Sequence, residues 1–138
     1  MTNRNILLVA LLSLSFVALN GCGGAPRKSI EKAMKEMETA MPKNPHDPDA
    51  IAAELPTVKK KLEAISLSGC PKDFKDAFTE WRKSTIEAFE LTVELTNLKR
   101  SSDMMTLMSK QPEAMEKLEQ MQKTMTQLKD VARKHLTK

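Results

Sequence analysis

Apolar residues are distributed along this chain in two ways. Residues 6–19 (ILLVALLSLSFVAL) are apolar at every position except Ser13 and Ser15, whereas beyond residue 28 the apolar positions return every three or four residues. The first pattern is a continuous greasy rod; the second is the signature of helices with one buried face. At about 1.5 Å per residue the rod reaches about 21 Å, short of a hydrocarbon core of about 30 Å. It is too short for a comfortable membrane span.

The periodic part divides into helices at its prolines and small residues. A first helix is expected to be capped by Ser29, with Ile30, Ala33, Met34, Met37 and Met41 on one face and a stop at Pro42. The stretch PKNPHDPDA (residues 42–50) then reads as a rigid turn with His46 in solvent, and Asp47 and Pro48 open the next helix. Ile51, Leu55, Val58, Leu62 and Ile65 continue the pattern, with Pro56 predicting a kink or a restart. Gly69 in SLSGCP is placed to close that helix in a left-handed conformation.

A third helix is predicted over residues 71–98. Its polar stripe is narrow (Asp76, Glu80, Lys83, Glu87, Glu90, Glu94, Asn97), and Phe74, Phe78, Trp81, Ala88, Phe89 and Leu95 occupy much of the rest. A helix this apolar requires neighbours on more than one side. Ser101, Ser102 and Asp103 break the chain, residues 104–108 form a turn or two, and Pro112 restarts a last helix. There Leu118, Met121, Met125, Leu128, Ala132 and His135 alternate three- and four-residue steps, a packing seam. Short links between such helices predict an all-α, antiparallel four-helix bundle over residues 29–138.

Composition agrees with that class: the 138 residues include 10 methionines and only 4 glycines. The formal charge of +4 is mild, there is no tyrosine, and no basic patch interleaves with aromatics, so nucleic acid is not expected as a partner. Arg4 ahead of the apolar run, and small residues after it, match the design of an export signal that is removed after use. The expected division is therefore a signal peptide over 1–21, a tether over 22–28 and the bundle.

The end of the run carries a more specific message. Leu19, Asn20, Gly21 and Cys22 resemble the lipobox of bacterial lipoproteins, with Leu three residues before the cysteine and a small residue directly before it. The resemblance implies a diacylglyceryl thioether on the Cys22 sulfur, cleavage before Cys22 and acylation of the new amine, palmitate being a typical chain. It implies an exported protein held to a lipid bilayer through Cys22. Gly23, where an aspartate is associated with inner-membrane retention, points to the outer membrane facing the periplasm, the cell membrane being the other choice.

Catalytic apparatus is hard to find. The chain has no Gly-rich phosphate loop, no paired-cysteine motif and no His-Glu-x-x-His, and it is not expected to be an enzyme. With Cys22 lipidated, Cys70 is the remaining thiol, so no disulfide framework is available. At the start of the third helix Cys70 reads as a small buried residue, or as a thiol activated by the helix start with help from Asp73. The methionines read as flexible core filler, with Cu(I) binding as a soft-ligand alternative.

One further resemblance concerns the bundle. Phe74 and Phe78 in CPKDFKDAFTEW, the segment KEMETA (residues 35–40) and the C-terminal LKDVARKHLTK (residues 128–138) resemble the soluble b-type member of the cytochrome c-prime four-helix-bundle family. That resemblance implies haem b, with Met37 and His135 as axial ligands, Met34 as a substitute for Met37, and Phe74 and Phe78 lining the ring. The first reading is nonetheless a lipoprotein with a small helical binding or structural module and no cofactor. A b-type haem electron carrier is the alternative.

Overall fold

Pro26 sets the point at which the chain first turns helical. In the computed structural model, which describes residues 24–45 and 47–137, helix α1 spans Ala25–Ala40 with Pro26 in its first turn. The fixed φ of proline suits that position, and its missing N–H is one no helix could use there. Ser29 is thus inside the helix, where its hydroxyl donates to the Ala25 carbonyl at 3.0 Å, rather than being the cap expected from sequence. Residues 25–28 of the expected tether are accordingly helical.

Helices α2 (Pro48–Ala64), α3 (Lys72–Arg100) and α4 (Met104–Leu136) complete the fold, and no strand occurs among the described residues. Asp47 caps α2 as expected, its carboxylate accepting from the Asp49 N–H at 2.9 Å. Asp103 does the same for α4 through Thr106 N–H at 3.1 Å. Gly69 is left-handed at φ 78°, and a Cβ there would stand 2.6 Å from Ser29 Oγ on α1. The left-handed backbone is what calls for glycine, while the Ser29 hydroxyl would only have to swing aside.

The helix restarts expected at Pro112, and as one of two choices at Pro56, are absent. Both α2 and α4 run unbroken through Pro56 and Pro112. An interior proline costs about 3 kcal/mol, but both prolines are exposed, so the carbonyl each deprives of a donor lies on the wet side. Ile51 before Pro56, and Val58 and Leu62 after it, are all buried in one core, which holds the two halves of α2 in register. In α4 the half-buried Leu107 and Ala114 continue the face that carries Met121.

Ion pairs mark how the helices run. Lys110 meets Glu94 at 2.7 Å and Lys117 meets Glu87 at 2.5 Å, so α4 descends antiparallel to α3. Asp49 with Arg100 and Lys59 with Glu90, both 2.6 Å, set α2 antiparallel to α3 in the same way. α1 lies against α2 and α4 and completes an antiparallel four-helix bundle. At about 1.5 Å per residue, its 16 residues give about 24 Å beside about 50 Å for the 33 of α4.

The core follows that asymmetry. Ile30, Ala33, Met34 and Met37 from α1 meet Phe74, Phe78 and Trp81 from α3 and Leu128, Ala132 and Leu136 from α4. Phe78 packs on Phe74 with centroids 6.0 Å apart and edge-on to Trp81 at 5.3 Å. Each such side chain contributes roughly 1.5–3 kcal/mol through burial. A buried hydrogen bond of 2.6 Å between the Ser84 and Thr124 hydroxyls ties α3 to α4. Met104, Met105, Met108 and Met115, expected as core filler, instead stand exposed on the far half of α4.

Candidate functional site

The chemistry-bearing residues gather at one end, where α1 and α3 begin and α4 finishes. Asp73 sits in the first turn of α3 and His135 in the last turn of α4, so antiparallel packing brings together residues 62 apart in sequence. His135 Nε2 lies 2.9 and 3.0 Å from the two Asp73 oxygens. An ionised carboxylate only accepts, so Nε2 carries the proton and donates it. Lys134 Nζ adds a third contact at 3.4 Å, and the Phe74 N–H donates to Asp73 Oδ1 at 3.0 Å.

These donors hold the Asp73 carboxyl below its ordinary pKa; the His135 hydrogen bond is the largest cause, partly opposed by desolvation. Its placement is favourable twice over, since an acid suits a helix start and a basic ring suits a helix finish. Cys70 shows the opposite behaviour: burial pushes its thiol up, and Lys75 offsets this only in part. Cys70 is the small buried residue expected first, and the alternative, activation by the helix start, is not realised: Asp73 serves His135 rather than the thiol. Among the described residues no hydrogen bond joins His135 to a hydroxyl or thiol. The pair fastens α3 to α4 but addresses no nucleophile.

The residues that would hold haem are placed differently from what the ligand reading requires. Met37 is buried in the core and His135 is half-buried at the rim with Nε2 committed to Asp73. Phe74 and Phe78 are fully buried against each other and Trp81, occupying the interior instead of walling a slot. A porphyrin would have to displace that packing, so the residues as packed do not fit the group. Met34 lies in the same packed core.

Soft-metal binding by methionines in the core fares no better, because Met34, Met37, Met121 and Met125 are buried among aliphatic and aromatic groups. Among the described residues no cluster of three or more His, Cys, Asp or Glu side chains is arranged to hold a metal. Cys22, the expected lipidation site, lies outside the described residues, as does His46, expected in solvent. The Asp73–His135 pair escaped sequence reading, for its partners share no local motif. The exposed methionines escaped it too, because periodicity alone does not tell which helix lacks a neighbour.

No protein-family model, curated protein or solved structure matches the chain.

Proposed function

We propose that the protein is a lipid-anchored bacterial lipoprotein whose bundle is a binding or structural module at the cell envelope, without catalysis of its own. The observation that carries this reading is the sequence Leu19-Asn20-Gly21-Cys22 at the end of an apolar run preceded by Arg4. Its position relative to the fold adds support. Cys22 precedes Ala25, the first residue of α1, by three residues, so even full extension keeps it within about 11 Å of the start of α1.

The bundle would then rest against the bilayer by the end that holds Asp73 and His135. Exposed Lys28 and Lys75 lie at that end, beside Arg133 and Lys134, which pair with Asp130 and Asp73. Each basic side chain near an anionic headgroup layer contributes about 1 kcal/mol. Among the described residues no helix is long and apolar enough to cross a membrane; in this reading attachment is the work of acyl chains on Cys22. At about 0.8 kcal/mol per buried methylene, several chains on one residue anchor stably where a single chain does not.

The test is to follow wild type and Cys22→Ser through fractionation with a labelled fatty acid. Wild type should carry label and pellet with membranes; Cys22→Ser should lose both. Label retained by Cys22→Ser would refute the assignment.

A further inference from the structure

We propose that two copies of this chain associate side by side, in parallel, through the exposed face of the N-terminal half of α4. Met104, Met108, Gln111, Met115 and Leu118 succeed one another at steps of four, three, four and three, the spacing of a two-stranded helical seam. Met104, Met108 and Met115 expose 56%, 66% and 59% of their surface, and neighbouring Met105 exposes 86%. Lys110 and Lys117 turn toward Glu94 and Glu87 of α3. At about 100° per residue the methionine stripe lies well around α4 from that side, where α1 is too short to cover it.

The surface needs an occupant because isolated soluble chains rarely leave more than a few hundred Å² of contiguous apolar area bare. Two copies face to face would cover Met104, Met108 and Met115 of each, residues that leave more than half of their surface bare. A second copy fits the seam from its own sequence. In register, each methionine meets its counterpart, and the Gln111 amides can exchange a hydrogen bond, the kind of polar contact that fixes alignment. The flanking residues Leu107, Ala114, Met105 and Pro112 carry no charge, and the charged exception, Glu119, faces the small Ala114 of the other copy in a parallel pair, so no like charges meet.

The direction rests on the anchored reading. Chains that enter their bundles from one bilayer at the α1 end all point α4 the same way, and shared anchoring raises their effective concentration. Parallel pairing follows, with the methionines far from the lipid: residues 104–135 of α4 span about 47 Å.

The full chain in its membrane is tested by mild oxidation of single-cysteine additions. Gln111→Cys and Met104→Cys should each give a disulfide-linked dimer that wild type does not. Met108→Lys in the same chains should abolish it while leaving Trp81 emission unchanged. Monomer throughout overturns the proposal, and a dimer that survives Met108→Lys places the interface elsewhere. Crosslinking of Met104→Cys only when mixed with Leu118→Cys would show antiparallel pairing and overturn it likewise. The fatty-acid label scores the anchor separately: label without crosslinks sinks the dimer alone, and crosslinks without label uphold the dimer and sink the anchor.

Discussion

At the end where α1 begins, Phe74, Phe78 and Trp81 are fully buried and Met37 is nearly so; at the opposite end Met104, Met105, Met108 and Met115 stand in water. Both sets lie on amphipathic helices at similar spacing. What separates them is enclosure, since α1 adds a fourth wall to the first region and has ended before it could shield the second. Methionine is flexible and moderately apolar, so it suits either role. The fate of a methionine here is decided by the length of a neighbouring helix.

The comparison can be broken at its strongest point first. Trp81→Ala should lower stability by about 3–5 kcal/mol, read as a fall in the urea midpoint by circular dichroism. That is a large fraction of the roughly 5–15 kcal/mol that domains possess. A loss under about 1 kcal/mol would show that the enclosed end is not tightly packed. Next in size, Met37→Ala should cost about 2–5 kcal/mol, while Met115→Ala at low concentration should stay within about 0.5 kcal/mol. Equal effects would remove the distinction between the two regions.

The smallest effect concerns the Asp73–His135 pair. A carboxyl whose pKa is lowered in the folded state adds stability above its unfolded value, about 3.9, and loses it as pH falls through the folded value. Wild type should therefore lose more stability between pH 7 and pH 3 than Asp73→Asn does. The difference should be modest because Asp73 is partly exposed and water screens the pair. Parallel pH profiles for the two proteins would contradict the pairing.

Much of the architecture was legible in the sequence for a simple reason: apolar spacing reports which face of a helix is buried. The buried set on α3, from Phe74 to Phe89, follows directly from it. Proline misled as a sign of helix restarts, because α2 and α4 continue through Pro56 and Pro112 where apolar residues on both sides share one face. Ser29 misled similarly, since Pro26 had already started α1. The site was less legible. Asp73 and His135 meet only through the antiparallel register of α3 and α4, and the haem ligands suggested by resemblance depend on an interior that Phe74, Phe78 and Trp81 fill.

The central claim is that one continuous helix, α4, passes from an enclosed region into an open one. Native-state amide hydrogen exchange tests this most directly, using Met108→Lys so that self-association adds no protection. Amides of residues 121–136 should exchange only through global unfolding, and those of residues 106–115 through far cheaper local opening. Uniform protection along the whole of α4 would contradict the account.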